Sequence, residues 1–262
     1  MTAAVLDVSR DGPVARVFLN RPDVRNAFDD TVIDALTRCF SDLGADPGLR
    51  AIVLGGHGPV FSAGADLGWM RRMAGYGWEE NRTDAQALAD MLWTLYRCPV
   101  PVVARIHGDC YAGAVGLAAV CDIVVAADGA HFCLSEARLG LIPATVGPYV
   151  VQAMGERAAR RYFTTAERFD AATAASPGLV HERCAADALD DRVAGLVEAL
   201  CQNGPQATRA AKALVQDLAG RPIDDALRAD TARRIADVRS GDEGREGVAA
   251  FLARRPPAWR LP

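Results

Sequence analysis

Apolar residues recur along the chain in patterns that predict alternating strands and helices. Short β-branched runs at 4–9 and 14–20, on either side of the turn sequence DGP, predict a hairpin of two strands. After the loop NRPDVRNAF, apolar side chains recur with the 3.6-residue period of a helix over about 30–44, with Asp29 and Asp30 as candidate caps. The chain therefore begins with a hairpin followed by an amphipathic helix.

The same alternation continues to about residue 185. Further strands are predicted over 50–56, 99–108, 122–128 and 130–136, and helices over 80–97 and within the segment AGAVGLAAVCDI at 112–123. Strands that alternate with helices imply parallel pairing through crossover connections. The fold class is therefore α/β, with residues 1–185 as one core domain.

The last part of the chain has the apolar spacing of helices. Predicted helices cover 145–164, 169–174, 184–202, 204–218, 222–238 and 242–253. No linker rich in Pro, Gly or Ser separates this part from the core. Residues 186–262 are therefore expected to form a helical C-terminal region that packs on the core or on a neighbouring subunit.

Charge and apolar run length exclude several classes of partner. The 262 residues carry a formal net charge of −4, so no overall basic field exists to bind nucleic acid or an anionic membrane. No apolar stretch reaches the length of a membrane span, and the start MTAAVLDVSRDG lacks the basic opening and apolar run of a leader. The expectation is a soluble, cytoplasmic protein.

Motifs that would indicate a resident metal or cofactor are missing from the sequence. The seven cysteines form no CxxC pair, and they are interpreted as small core residues in a reducing compartment. GxGxxG, GxxxxGK[ST], GxSxG and HExxH are all absent, and the four histidines are scattered. We therefore predict no metal and no cofactor.

Lys212 is the one lysine among 29 basic residues, so Schiff-base chemistry has a single candidate.

Two loops of small residues are the strongest chemical signal. FSAGAD (61–66) follows a predicted buried strand, and DCYAGAVG (109–116) follows the next central strand and opens a helix. Exposed main-chain N–H groups at such junctions bind anions, and a pair of them suits the enolate that forms from a thioester. For either loop alone, tight turns and close packing explain the glycines equally well. Two such loops on successive strands favour an oxyanion site.

These segments resemble a known family. LNRPDVRNAF, FSAGADL, HGDCYAGAVGLAAVCDI and FCLSEARLGLIP are similar, in order, to the enoyl-CoA hydratase/isomerase (crotonase) family, and the similarity continues to AFLARRPPAW. The variants present are most similar to the branch that hydrates methylglutaconyl-CoA. The resemblance implies a spiral of ββα turns with perpendicular small sheets, followed by a helical trimerisation region, in trimers often paired into hexamers. Coenzyme A would enter as part of the acyl-CoA substrate.

The resemblance also implies roles for particular residues. The oxyanion donors correspond to the N–H groups of Ala65 and Gly113, and one catalytic carboxylate corresponds to Glu136. A second family glutamate corresponds to Gly116, which would leave room for a bulky or branched substrate.

A hydratase that uses Glu136 alone, with its pKa raised by apolar neighbours, is the leading hypothesis. A double-bond isomerase and a non-catalytic acyl-CoA-binding protein remain alternatives. Asp109, His107 and Tyr111 lie near enough in sequence to be considered as substitutes for the missing acid.

The resemblance assigns the remaining candidates to substrate binding. Arg25 and the pair Arg254 and Arg255 would meet the phosphates of coenzyme A, although solvated surface arginine is the simpler interpretation of each. The main chain at Ala63, Asp66 and Leu67 would lie along the adenine and pantetheine. Further candidates are Trp69, as pocket wall or core, and Arg71 or Arg72, as a partner for a distal substrate carboxylate.

Overall fold

The protein was analysed as a computed structural model, which describes residues 4–260. Residues 1–3, part of the start on which the leader prediction rests, and 261–262 lie outside this range. The strands are β1 (Leu6–Asp11), β2 (Val14–Leu19), β3 (Ala51–Gly56), β4 (Val102–Ile106), β5 (Cys110–Tyr111), β6 (Ile123–Ala127), β7 (His131–Cys133), β8 (Phe169–Asp170) and β9 (Glu182–Cys184). The helices are α1 (Asp30–Ala45), α2 (Leu67–Met73), α3 (Trp78–Arg97), α4 (Gly113–Ala119), α5 (Gly147–Thr165), α6 (Ala171–Ala175), α7 (Leu189–Gln202), α8 (Pro205–Leu218), α9 (Asp225–Ser240) and α10 (Asp242–Leu252).

Two sheets organise the first part of the chain. The larger has the order β1-β2-β3-β4-β6-β9, with an antiparallel hairpin at one edge and parallel pairing from β2 onward. The smaller contains β5, β7 and β8. The predicted hairpin, the α/β class and the parallel crossovers are therefore confirmed. This arrangement of ββα units with helices at the C-terminal end is the crotonase-like fold that the resemblance implied.

The large sheet is covered on both faces. Ile52 and Leu54 of β3 belong to the main core with α1 and α3, whereas Val53 between them belongs to a second cluster. That second cluster contains Leu189 and Val193 of α7. Because successive side chains of a strand point to opposite faces, a sheet covered on both sides has strands that are apolar throughout. The burial of all six residues of β3 follows from this packing.

Several predicted boundaries were wrong in instructive ways. The helix predicted over 184–202 begins only at Leu189, because residues 182–184 form β9 and extend the large sheet. The helix predicted over 169–174 is β8 followed by α6. The strand predicted over 99–108 is shorter, and prolines at 99 and 101 lack the N–H that a ladder requires. Short strands were missed because tertiary pairing forms them, not local propensity.

The C-terminal helices are anchored to the core through polar contacts. Lys212 of α8 places its ammonium 2.6 Å from the Asp122 carboxylate and 3.2 Å from the carbonyl oxygen of Val100. Asp122 also accepts a hydrogen bond from the N–H of Val102 at 2.7 Å. The single lysine therefore holds α8 against the strand ends of the core. Among the helices of residues 4–260, none combines the length and apolar composition needed to cross a membrane.

Candidate active site

The two loops of small residues lie side by side. Ser62 pairs with Cys110 of β5, and Ala65 pairs with Phe28, in isolated parallel bridges. The 61–66 loop therefore runs between the segment at Phe28 and the loop that leads into α4. Gly64 has φ +88°, and a side chain there would lie 2.9 Å from both the Ala112 Cβ and the Tyr111 carbonyl oxygen. The close approach of the two loops thus requires glycine at 64.

The hydrogen bonds around Ala65 fix the direction of its N–H. The Phe28 N–H donates to the Gly64 carbonyl at 2.7 Å, and the Asp66 N–H donates to the Phe28 carbonyl at 2.7 Å. In a trans peptide the C=O and the following N–H point in opposite directions, so the Ala65 N–H points away from Phe28. Within residues 4–260 this N–H has no hydrogen-bond acceptor. It is an open donor on the side of the loop that faces the α4 segment.

A strained residue orients the second donor. Ala112 has φ +49° and ψ −120°, a conformation that costs a residue with a Cβ of the order of 1–3 kcal/mol. Its N–H donates to Cys133 at 2.7 Å, and its carbonyl accepts from the Val115 N–H at 2.9 Å. Because that carbonyl points into α4, the Gly113 N–H points out of the helix. It too has no acceptor in the described part of the chain.

Phe28 packs beneath both open donors. The ideal Cβ position of Gly113 lies 3.3 Å from two carbons of the buried Phe28 ring, and the Phe28 backbone is bonded to the segment around Ala65. The two N–H groups therefore belong to one compact unit. The strain at Ala112 was missed by the sequence analysis, since alanine carries no signal for a positive φ.

Glu136 lies shortly after strand β7 of the small sheet. Cys133 pairs with Tyr111, and the chain then enters a short 3-10 helix at Glu136–Leu139, so Glu136 follows the strand adjacent to the loop that bears Gly113. Burial raises the pKa of Glu136 above its ordinary value, although a backbone hydrogen bond opposes this. Its Oε2 is buried and has no hydrogen-bond partner among the described residues. A half-buried carboxyl with an open oxygen and a raised pKa is suited to accept and return a proton.

Gly116 lies deeper, on the buried side of α4. A Cβ at this position would lie 2.3 Å from the Val146 Cγ1 and 2.7 Å from its Cβ. Val146 is only 2% exposed and immediately precedes α5. The room for a bulky substrate that was expected at Gly116 is therefore not open, because Val146 occupies it.

A partly buried network positions the start of α2. The Asp66 carboxylate caps this helix by accepting from the N–H groups of Gly68 at 2.7 Å and Trp69 at 3.1 Å. Arg21 reaches Asp66 at 3.1 Å. Burial alone would raise the pKa of Asp66, but these hydrogen bonds and the Arg21 charge hold it below its usual value. Asp66 is therefore an ionised cap, directly after the Ala65 donor.

The candidate binding residues have varied surroundings. Ala63 donates its N–H to the Arg25 carbonyl at 2.9 Å, and the Arg25 side chain is exposed. Leu67 is 70% exposed. Trp69 is 5% exposed and donates through Nε1 to Asp84 at 2.9 Å, so it belongs to the core and not to an open pocket wall. Its assignment to substrate contact is not supported by this burial.

The C-terminal arginines differ from one another. Arg254 is exposed and has a left-handed backbone with φ +52°. Arg255 makes two hydrogen bonds to Glu246, at 2.6 and 2.7 Å. Similarly, Arg72 contacts Asp30 at 2.6 Å, whereas Arg71 has no salt bridge within residues 4–260. Arg254 and Arg71 are thus the more available cation in each pair.

The side chains considered as substitutes for a second acid have other partners. The Tyr111 hydroxyl donates to Asp109 at 2.9 Å, and Arg168 contacts the same carboxylate at 3.2 Å. Burial and the Asp109 contacts raise the pKa of Tyr111 to about 12, so it stays protonated. His107 Nε2 lies 2.9 Å from the Gly58 carbonyl oxygen, and burial lowers its pKa. These contacts favour structural roles for all three residues.

Comparisons with known proteins show which family this chain resembles in sequence and fold. Residues 9–261 match the sequence model of a family described as enoyl-CoA hydratase/isomerase. A structure titled enoyl-CoA hydratase from Shewanella pealeana is 40% identical, covers 98% of this chain and 97% of its own, and has a TM-score of 0.95. Pseudomonas aeruginosa AtuE is 37% identical with a TM-score of 0.94, covering 98% of this chain and 100% of its own. The Alternaria alternata enoyl-CoA hydratase ACTT6 is 35% identical over 97% of this chain and 83% of its own length.

Proposed function

The chain belongs to the enoyl-CoA hydratase/isomerase family, and from that membership and the geometry of its site we propose that it hydrates 2-enoyl-CoA thioesters. One observation carries the proposal: two adjacent loops present open backbone N–H groups, and a carboxyl with an unpaired buried oxygen follows the strand that pairs with one of these loops. Donors that need no reorganisation are the features that stabilise a developing oxyanion.

The proposed mechanism uses one carboxylate for both proton transfers. The thioester carbonyl accepts hydrogen bonds from Ala65 and Gly113. Glu136 removes a proton from water while the water oxygen bonds to C3. The electron pair of the C2–C3 double bond then moves through C2 toward the thioester oxygen. The two N–H groups stabilise this enolate. Glu136 then returns the proton to C2, which completes the hydration and restores the carboxylate.

The remainder of the acyl-CoA would lie along the α2 loop. We propose that the main chain at Ala63, Asp66 and Leu67 contacts the adenine and pantetheine, with Arg25 and Arg254 near the phosphates. The exposure of both arginines supports this proposal. Replacing Arg254 by Ala is then expected to raise KM while kcat changes little, because a phosphate contact remote from C2 and C3 stabilises ground and transition states alike.

The acyl group is proposed to be of the branched, methylglutaconyl type. A distal carboxylate on such a substrate would need a cation, and Arg71 at the end of α2 has no salt bridge among the described residues. We also propose that the protein assembles as a trimer or a pair of trimers. The large apolar side chains Phe251 and Leu252 on α10 are 82% and 75% exposed, which supports a subunit contact there.

A double-bond isomerase of the same fold is the second candidate. It is favoured by the presence of Gly116 and Val146 where a second acid would stand, since an isomerase needs only one carboxylate to move a proton between carbons. A binding protein without turnover is the third. The hydratase and the isomerase would give different products from the same site, and the binding protein would give none.

Enoyl thioesters of defined structure separate the three candidates. Hydration removes the absorbance of a conjugated 2-enoyl-CoA, whereas isomerisation of a 3-enoyl-CoA creates it. We expect loss of conjugation from 2-enoyl thioesters, fastest with a glutaconyl-type acyl group. Appearance of conjugation from 3-enoyl thioesters without hydration would support the isomerase, and calorimetric binding with neither change would support the binding protein.

A further inference from the structure

Two buried polar side chains, one within the loop that carries Ala65 and one on the segment that pairs with it, are hydrogen-bonded to the main chain of this region. Asn26 and Ser62, 1% and 0% exposed, are the polar residues in the fully buried class within residues 4–260. Ser62 Oγ donates to the Asn26 carbonyl at 2.8 Å. We infer that Asn26 and Ser62 are positioning residues that aim the Ala65 N–H at the thioester oxygen. This inference rests on the proposed function and deepens it.

Asn26 closes the glycine-rich loop onto the segment before α1. Its backbone is left-handed, with φ +54°. Its Nδ2 lies 2.7 Å from the His57 carbonyl and 3.1 Å from those of Val60 and Phe61. Its Oδ1 accepts from the Arg21 N–H at 2.9 Å. One side-chain amide therefore satisfies several backbone groups at the point where β3 passes into the loop.

Ser62 continues the chain of hydrogen bonds to the donor itself. While its Oγ donates to Asn26, the same oxygen accepts from the Gly64 N–H at 3.2 Å. The Gly64 carbonyl is held by Phe28 at 2.7 Å. Both the N–H and the C=O of Gly64 are thus held by hydrogen bonds. The C=O of Gly64 belongs to the same peptide group as the N–H of Ala65. The orientation of this peptide is therefore set by Phe28 together with Ser62, and Ser62 is in turn held by the main-chain carbonyl of Asn26.

Burial makes this pair costly unless every bond is made. A buried hydroxyl or amide that loses its partner costs more than an apolar residue in the same space, so the pair specifies a single loop geometry. Precise aim matters because an oxyanion donor acts over a short range, and a misplacement of about 1 Å costs about 100-fold in rate. The nearby arginine that reaches Asp66 fixes the other side of Ala65.

The polarisation of a bound chromophore tests this positioning directly. The probe is 4-dimethylaminocinnamoyl-CoA, a conjugated thioester that absorbs at longer wavelength when hydrogen bonds polarise its carbonyl. Ser62→Ala removes only the hydroxyl oxygen. We expect it to lose most of the red shift and about 10-fold to 100-fold in kcat, with a much smaller change in Kd for the probe. Asn26→Ser should behave likewise.

A matched control separates positioning from stability. Val103 is fully buried in the α7 cluster on the opposite face of the sheet, so Val103→Ala destabilises the fold without touching the loop. It should keep the red shift and kcat at temperatures where circular dichroism shows folded protein. If Ser62→Ala does not fold, Ser62→Cys retains a weaker hydrogen-bonding group on a slightly larger side chain and should give a partial loss of shift.

The outcomes distinguish the inference from the proposal beneath it. A full red shift and full kcat in folded Ser62→Ala or Ser62→Cys, with turnover in the unmodified protein, would overturn the positioning role alone. Absence of both shift and turnover in the unmodified protein would overturn the proposed function, and the positioning role with it.

Discussion

Val146 fills the space into which a side chain at Gly116 would project. The ideal Cβ of Gly116 would lie 2.3 Å from the Val146 Cγ1, well inside the contact distance of two carbon atoms. Leu92 of α3 lies 3.6 Å from the same point. A carboxylate at position 116 is therefore excluded by the packing of Val146, the residue that immediately precedes α5.

The first prediction follows from this contact. Gly116→Ala should lower the free energy of unfolding by about 1–3 kcal/mol, because the added methyl group overpacks a closed core. Val146→Gly opens the space, and glycine is acceptable at the position that precedes a helix. In the double variant the alanine should cost much less than it does alone, giving a favourable coupling energy in a urea-unfolding cycle. Simple additivity of the two changes would contradict the packing.

The second prediction concerns Glu136 as the proton carrier. Glu136→Gln keeps the shape but removes the base, so turnover should fall by at least about 100-fold while CoA thioesters still bind. In the unmodified protein the acid-side loss of kcat/KM should occur at a higher pH than for an ordinary glutamate, because burial raises its pKa. Initial rates across pH and calorimetric binding measure both effects. Unchanged turnover in the variant would remove Glu136 from the mechanism.

The third prediction links the same carboxyl to stability. Burial raises the pKa of Glu136 on folding above its value in the unfolded state, near 4.5. Such a carboxyl contributes fully to stability at a pH below the unfolded-state pKa, and this contribution is lost as the pH rises through the folded-state pKa. At neutral pH the ionised Glu136 is therefore a net cost. Near neutral pH, Glu136→Gln should unfold at a higher urea concentration than the unmodified protein. The difference between the two urea midpoints should become smaller as the pH falls toward 4.5. A constant gap across this range would disprove the linkage.

The fourth prediction isolates the Gly113 donor. Gly113→Ala and Gly113→Pro both add a Cβ, which would lie 3.3 Å from the Phe28 ring, but only proline removes the N–H. Proline is also tolerated at the first position of a helix. The proline variant should have a kcat/KM about 100-fold to 1000-fold below that of the alanine variant, the usual cost of one oxyanion donor. Equal rates in two folded variants would exclude Gly113 as a donor.

The fifth prediction tests the contact that anchors the C-terminal helices. The side chain of Lys212 is 7% exposed and that of Asp122 is 26% exposed. Lys212→Met should cost about 3 kcal/mol in urea unfolding, because it leaves Asp122 without a partner in a partly buried site. Adding Asp122→Asn should recover most of the loss. If the double variant is no more stable than Lys212→Met, the cost arises from packing and not from the unpaired charge.

The sequence carried more information about the longer strands than about the shortest ones. The predicted strands at 14–20, 50–56 and 122–128 correspond to β2, β3 and β6. β3 and β6 are continuous apolar runs because they are buried on both faces, whereas β2 was indicated by β-branched residues next to a turn. The short strand β8 was predicted as the start of a helix, and β9 was not predicted, since only its last residue fell within a predicted helix. Each has only two or three residues and exists because a neighbouring strand supplies its hydrogen bonds.

For the site, the sequence by itself determined which backbone segments carry mostly small residues, and the family motifs led to the proposal that Ala65, Gly113 and Glu136 act together. Only the tertiary structure decided three further points: that Ala112 is strained, that Asn26 and Ser62 support the donor loop, and that Val146 closes the space beside Gly116. The physical reason is range. Strand and helix patterns are set by local periodicity. The contacts of Asn26 with Ser62 and of Gly116 with Val146 instead join residues that are far apart in the sequence, and the positive φ of Ala112 is not indicated by its residue type.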